Sequence, residues 1–598
     1  MQSRRSRSSI PVLIVTGIAL AVLGGAVPLA KQSTEVAGDK IGATVRQAWA
    51  QSVTPLKVWV FFTDKGWHTP EAHATALAAV ERGYDPDAVQ RRRLRRTAPG
   101  LFDAHDLPIV VSYVDAVTAT GAVHHITSRW LNAISVWATR PQIEAIAELP
   151  FVRRIERVLG ARKDHLFGEP VAVEIPAPAA GGANPRGGLD YGVGEYQLEH
   201  VHIIDVHELG YTGDGSVVAI LDTGFDRSHE AFNQPGHPVQ VVAEWDFIDN
   251  DPDAGIEPGD PGAQHNHGTC ILGIVGGYKP GSFVGAAYDA SFILCKTEDT
   301  TAEYPAEEDN YVAGLEFAEM HGADVVTSSL GYIDWYTQDD LDGQTAVTTV
   351  AVNIATANGM PVCTAAGNEG NDLDPTTSHL IAPADAFQVI TVGALYGYAG
   401  GHAEFTSDGP TADGRVKPEV MAMGVDTRTV SPVEPDRCVA ISGTSASTPI
   451  VAGAVACLLQ AHPTWTVDEL REHLFYTARY YRLNRELGPY FIRGYGRVNA
   501  FLAHHFVDCN GNTITDSVDI EEGTSLDENG NGIPDECEPD CPGDLNGDGV
   551  INLEDLATLL ANYGATGAAP EDGDLDGDGD VDLSDLSALL AVYGTTCS

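Results

Sequence analysis

The sequence predicts an α/β protein: a core domain with a parallel sheet flanked by helices, a small α+β domain before it and small loop-and-helix modules after it. Three observations predict this. From about Tyr191, short apolar runs (Val217–Leu221, Val325–Val326 with its flanks, Pro361–Ala366, Val389–Val392) alternate with helical stretches (Val312–Met320, Ala346–Ala357, Thr448–Gln460), as βα units do. Upstream, a few shorter strand and helix patterns precede a Pro/Gly/Ala-rich stretch. From Asp508 onward the composition shifts to 23 Asp+Glu with no Lys or Arg. The chain has 598 residues, 43% of them hydrophobic, which is enough for several domains. Its formal net charge of −49 argues against a nucleic-acid partner.

At the N-terminus, Arg4, Arg5 and Arg7 precede an apolar run from Ile10 to Val27 and small residues (Gly24, Gly25, Ala26, Ala30). This pattern reads as a secretory signal peptide over residues 1–30, cut near Ala26 or Ala30. An uncleaved anchor is the alternative, but the run has only 18 residues and Pro11 interrupts its start. No later apolar segment reads as long enough to span, so no stable membrane span is expected after signal removal. The expected location is secreted, extracellular or associated with the cell surface. Nine cysteines suit an oxidising setting. Four of them, Cys509, Cys537, Cys541 and Cys597, lie in the acidic tail. Three connectivities are open there, and Cys509–Cys537 with Cys541–Cys597 is favoured.

Residues 55–160 make the small α+β domain. LKVWVFFT (56–63), IVVSYVD (109–115) and FVRRIERV (151–158) read as strands. TRPQIEAIAEL (139–149) reads as a helix, because Thr139 and Gln142 form a capping box and Ile143, Ile146 and Leu149 share a face. The run Arg91-Arg92-Arg93-Leu94-Arg95-Arg96 reads first as a solvated basic loop, with a cleavage site or a docking patch for an acidic domain as alternatives. Residues 161–190 read as a linker and processing region.

The core domain covers residues 191–505. Parallel sheets gather function at the carboxyl ends of their strands, and the marked residues fall there. Asp222 ends an apolar strand, where a held carboxylate suits the orientation of an imidazole. His267 opens an apolar helical run. His265 and His229 compete for its role, but the Gly-Thr after His267 favours it. Asn368 follows Gly367 and can donate to a developing oxyanion. Ser445 starts an apolar helix whose amide and dipole favour negative charge. Each residue alone has a plain structural reading: a capping Asp, a surface His, a turn Asn, an N-cap Ser. Their order Asp222, His267, Ser445, with an amide donor between the last two, belongs to one triad solution and not to the others.

Asp222-Thr223-Gly224, His267-Gly268-Thr269, Ser329-Leu330-Gly331, Ala365-Ala366-Gly367-Asn368 and the stretch from Gly443 to Pro449 resemble, in order, the motifs of subtilisin-like serine peptidases. The stretch from Phe405 is similar to that family too. The resemblance covers roughly residues 191–505 and implies a subtilisin-like fold and a serine endopeptidase acting on protein or peptide substrates. It implies that Ser445 attacks, His267 moves the proton, Asp222 holds the histidine, and Asn368 with the Ser445 amide binds the oxyanion. Ser329, Leu330 and Gly331 would line the substrate cleft. The small domain is similar to the family's pro-domains, which implies a zymogen. Cys270 departs from the family pattern. It reads equally as a thiol near the site or as a buried small residue. The acidic residues Asp246, Asp249, Asp251 and Asp253 read equally as a calcium site or a solvated loop. A catalytically silent surface-binding or scaffold protein and an esterase are the alternative functions.

Residues 541–598 carry two loops in one register. Asp544, Asn546, Asp548, Val550 (through its carbonyl), Asn552 and Asp555 stand at positions 1, 3, 5, 7, 9 and 12. Asp574, Asp576, Asp578, Asp580 (through its carbonyl), Asp582 and Asp585 repeat the set 30 residues later. These oxygen donors point to Ca2+ as cofactor. With one helix after each loop, the pair resembles a dockerin module, which implies a cohesin-like partner. In residues 508–540, Asp508, Asn510, Asn512 and Asp516, and again Asp527, Asn529, Asn531 and Asp535, resemble thrombospondin type 3-like calcium repeats.

Overall fold

Eight parallel strands form the central sheet. Side by side they run Gly496–Arg497, Val420–Met423, Ile390–Leu395, Val362–Ala365, Val325–Ser328, Val217–Asp222, Ser291–Lys296 and Gln240–Asp246. The computed structural model describes residues 40–51, 55–67, 69–159, 171–173, 188–300, 307–333, 336–397, 400–527, 534–537, 543–576 and 579–595. The expected signal peptide and most of the 161–190 stretch lie outside the described residues.

The central strands are apolar without alternation because both faces are covered. Along Val217–Asp222, Val218 and Ile220 enter one core with helices Asn266–Gly276 and Thr444–Ala461. Ala219 and Leu221 enter the other, against helices Glu308–Met320 and Val347–Ala357. Helix Thr444–Ala461 corrects one expectation: by length and composition it is apolar enough to cross a membrane. Its place in the fold is the first core, where residues Thr444 to Leu459 are all buried.

The N-terminal domain is a four-stranded antiparallel sheet in the order Val123–Ser128, Ala133–Ala138, Leu56–Phe62, Val152–Arg157. Alternate side chains divide its work. Val58, Val60, Ile134 and Val136 form a private core with Ile143 and Ile146 of helix Arg140–Ala147. Trp59, Phe61 and Ala133 instead join the core under helix Glu308–Met320. The expected Thr139–Gln142 capping box is present.

Three expectations for this region are corrected. Residues 109–115 do not form a strand; helix Val111–Thr118 takes their place. Ile109, Tyr113, Val114 and Val117 pack on the domain's own core at helical spacing while Val111 faces out, so packing overrides β propensity. The arginine run is not a solvated loop. Asp85 caps helix Pro86–Arg95, and Arg91, Arg92 and Arg95 are buried on one face of it. The 161–190 stretch is not wholly a linker, because Val171–Val173 adds an antiparallel strand to Cys438–Ile441.

In the tail, helices Leu553–Asn562 and Leu583–Val592 follow the two loops and share a small core of Ile551, Leu559, Val581 and Leu589. Asn552 and Asp582 cap them through matching boxes with Asp555 and Asp585. Cys509 and Cys537 are joined, as favoured from the sequence. Cys541 and Cys597 lie outside the described residues.

Candidate active site

The fold brings the ends of neighbouring strands together at the start of one long helix. Asp222 closes its strand and is fully buried. Its Oδ1 accepts from the Thr223 amide at 2.7 Å. His267 is the second residue of helix Asn266–Gly276, and its Nδ1 lies 2.7 and 2.9 Å from the two Asp222 oxygens. Ser445 is the second residue of helix Thr444–Ala461 and is buried. Its Oγ donates to the Ser329 carbonyl at 3.2 Å, and Ser329 Oγ donates back to the Ser445 carbonyl at 2.9 Å. Asn368 Oδ1 accepts from Thr444 N at 2.9 Å and Thr444 Oγ1 at 3.0 Å. The helix start is thus tied to the extensions of two neighbouring strands, which carry Ser329-Leu330-Gly331 and Asn368.

Of the competing histidines, His229 is committed elsewhere: Nε2 meets the Arg437 carbonyl at 2.7 Å and Nδ1 accepts from Ala231 N at 3.0 Å. His265 only precedes the helix. Cys270 is fully buried, and burial pushes its thiol pKa well up, so the apolar reading holds. Of Asp246, Asp249, Asp251 and Asp253, only Asp246 pairs with a lysine among the described residues, and oxygens of Asp246, Asp249 and Glu257 lie within 4.8 Å of one another. The Lys296 ammonium is buried 2.7 Å from Asp246 and 3.1 Å from Asp260.

Sequence reading missed Gln264. Its buried Nε2 donates to the Thr223 and Glu298 carbonyls at 2.6 Å each, and its Oε1 accepts from Thr300 N at 2.8 Å. It cross-braces the strand end that holds Asp222. No sequence signal marks it beyond its place three residues before His267.

A model of the "Subtilase family" matches residues 213–496. Subtilisin E of Bacillus subtilis (strain 168) is 33% identical over 305 residues, 51% of this chain and 69% of that protein. This chain is a subtilase. Subtilisin of Bacillus pumilus is 32% identical over 305 residues, 51% of this chain and 96% of its own. Among solved structures, fervidolysin from Fervidobacterium pennivorans, titled a keratinolytic enzyme related to subtilisin, aligns with a TM-score of 0.49 at 25% identity. That alignment covers 67% of this chain and 60% of that one. A second model, "Peptidase S8 propeptide domain, Bacteroidota", matches residues 57–165. The subtilase is therefore a serine peptidase with a propeptide.

The propeptide grips helix Glu308–Met320 through charge. Lys57 pairs with Asp309 at 2.9 Å, and Trp59 Nε1 donates to Glu308 Oε1 at 3.2 Å. Further along, Arg92 donates to Asp106 at 2.7 and 2.9 Å and to Glu319 at 2.7 and 3.0 Å. Arg91 also reaches Glu319, and Arg95 reaches Asp324. Burial alone would raise the Glu319 pKa, but Arg91 and Arg92 hold it below the usual value. Of the alternatives for the arginine run, the structure favours the docking patch.

Glu308 behaves oppositely. Burial pushes its pKa from 4.5 up to about 8. Its protonated form belongs to the propeptide-bound state, so its contribution is full below pH 4.5 and is lost as pH rises toward 8. Glu308→Gln should flatten this dependence. Between pH 6 and 8 the wild-type processed complex should weaken about 10- to 100-fold more than the variant. Gel filtration of the processed complexes at both pH values checks it.

In the tail the loops curl around their carboxylates. Asp555 accepts from Leu545 N and Asn552 N, both at 2.8 Å, and Asp585 accepts from Leu575 N and Asp582 N, both at 2.7 Å. Asp544 accepts from Gly549 N at 2.8 Å and Asp574 from Gly579 N at 2.9 Å. Asn546, Asp548, Val550 and Asn552 line the first loop. Carboxylate oxygens of Asp574, Asp576 and Asp585 lie within 4.8 Å of one another. Asp578 lies outside the described residues. Upstream, Asp508 accepts from Thr513 N at 2.8 Å and Asp516 from Cys509 N at 2.9 Å. Asn529 and Asn531 lie outside the described residues.

Proposed function

We propose that this subtilase is a secreted endopeptidase, made as a zymogen, that hydrolyses peptide bonds through Asp222, His267 and Ser445 and carries a calcium-dependent attachment module. The observation that supports it most is the hold of both Asp222 oxygens on His267 Nδ1 at 2.7 and 2.9 Å. With Nδ1 turned to Asp222, Nε2 is the ring nitrogen on the side away from the carboxylate. Ser445 Oγ attacks the scissile carbonyl, and His267 Nε2 takes its proton and passes it to the leaving amine. Asp222 stabilises the imidazolium. The oxyanion meets the Ser445 amide and Asn368, whose Oδ1 is turned to Thr444 so that Nδ2 sits on the opposite edge.

The experiment is intact-mass measurement of wild type and Ser445→Ala, both made with calcium. Wild type should lose its N-terminal part at residues 161–190 while the variant stays joined. A variant that processes itself as fast as wild type would end the proposal.

Oxygen donors of Asp574, Asp576 and Asp585 suit a hard cation, and Asp544, Asn546, Asp548, Val550, Asn552 and Asp555 supply the same set in the first loop. A calcium ion held there would offset part of each loop's negative charge and would order it. Removing it with a chelator should lower the tail's protease resistance and shift its circular dichroism, with both restored by added calcium. A cohesin-like partner has a surface to meet. Leu553, Leu560 and Tyr563 are exposed, and the same three positions recur exposed as Leu583, Leu590 and Tyr593.

A further inference from the structure

We propose that Ile381 limits the residue before the scissile bond to a small side chain, so that the preferred substrates are peptides cut after Ala, Ser or Gly. This rests on the roles of Ser445 and Asn368 proposed above. With the scissile carbonyl between those two groups, the adjoining side chain has to enter the space between the segments that present them. Those segments are Ser329–Gly331, which extends strand Val325–Ser328, and Ala366–Asn368, which extends strand Val362–Ala365. Each contributes a glycine to that space, Gly331 and Gly367.

Ile381 fills the gap the two glycines leave. A Cβ built on Gly331 would lie 2.1 Å from Ile381 Cδ1, and one on Gly367 would lie 2.6 Å from Ser407 Oγ and 3.2 Å from both Ile381 Cγ1 and Cγ2. The side chain therefore reaches from one wall to the other. Ile381 is β-branched and stiff at χ1, and its backbone is fastened on both flanks. Ile381 N donates to the Ala366 carbonyl at 3.3 Å, and Ala382 exchanges bonds with Tyr332 at 2.8 and 3.0 Å. Leu380 and Ala382 are fully buried on either side, while Ile381 keeps 8% exposure. A methyl or hydroxymethyl group fits beside a branched aliphatic tip. A benzyl group does not, because core-like packing has no spare volume for a ring.

The test uses the processed enzyme with succinyl-Ala-Ala-Pro-Xaa p-nitroanilides, Xaa being Ala or Phe. Labelling of Ser445 by a fluorophosphonate is followed alongside, with Ser445→Ala as the blank. Wild type should favour Ala over Phe by about 10-fold or more in kcat/KM. Ile381→Gly should raise kcat/KM for Phe about 10- to 100-fold while changing Ala only a few-fold, which a general structural defect would not do. Ile381→Ala should fall between them and serves if the glycine variant melts early. Wild type cutting Phe as well as Ala, or a fully labelled Ile381 variant with an unchanged ratio, would overturn the inference. Absent labelling of wild type would instead remove the catalytic reading on which it stands.

Discussion

Ser445→Ala should lower kcat by about 10⁶-fold without disturbing the fold. The side chain that leaves is one oxygen at the second position of an 18-residue buried helix. Its structural bond, to the Ser329 carbonyl at 3.2 Å, is long, and Ser329 Oγ still holds the Ser445 carbonyl at 2.9 Å. An alanine keeps that tie, and it suits a helix at least as well as a serine. Steady-state kinetics on a peptide p-nitroanilide, beside a thermal melt, checks both halves. A kcat within tenfold of wild type would show that the nucleophile lies elsewhere.

The second large effect is at the propeptide. Glu319→Ala should weaken its attachment by about 3–5 kcal/mol, a factor of roughly 10² to 10³ or more. Glu319 and two of the three arginines that meet it, Arg91 and Arg92, are almost completely buried; the third, Arg129, lies 3.8 Å away. Removing the carboxylate strands the Arg91 guanidinium in a low-dielectric interface, while Arg92 keeps only Asp106, and the loss exceeds any gain the pair made. Replacing Glu319 and Arg91 together by methionine should recover much of it, because Arg92 keeps Asp106 and no buried charge is left without a carboxylate. Co-elution of the propeptide with the processed enzyme reads both variants. If Glu319→Ala holds the propeptide as firmly as wild type, the arginines are not its anchor.

How much of this was legible depends on how far each feature is local. The strand ending at Asp222 was readable because a parallel strand buried on both faces is a plain apolar run, and the helix Thr444–Ala461 was readable from its own apolar stretch after Ser445. The same holds for the capping box at Thr139. Residues 109–115 misled because Ile and Val suit a strand, and only the packing of Ile109, Tyr113, Val114 and Val117 on the propeptide's own core makes them helical. The arginine run misled for a different reason. Charge normally faces water, and the carboxylate that buries Arg92 is 227 residues away. Its spacing was the available signal, since Arg91, Arg92 and Arg95 recur at the period of a helix face behind an Asp85-Pro86 start. Ile381 has no local signal at all. It sits in an unremarkable stretch, and only the meeting of three distant segments gives it a role.

The strand Val171–Val173 carries a last consequence. It lies against Cys438–Ile441, so it shields one margin of a two-stranded ribbon from solvent. A cut upstream of it would leave that shield attached to the peptidase. A cut downstream would make it part of the departing piece, and the ribbon's backbone donors and acceptors would then face water or a neighbouring molecule. Maturation on the upstream side therefore yields the form less prone to self-association.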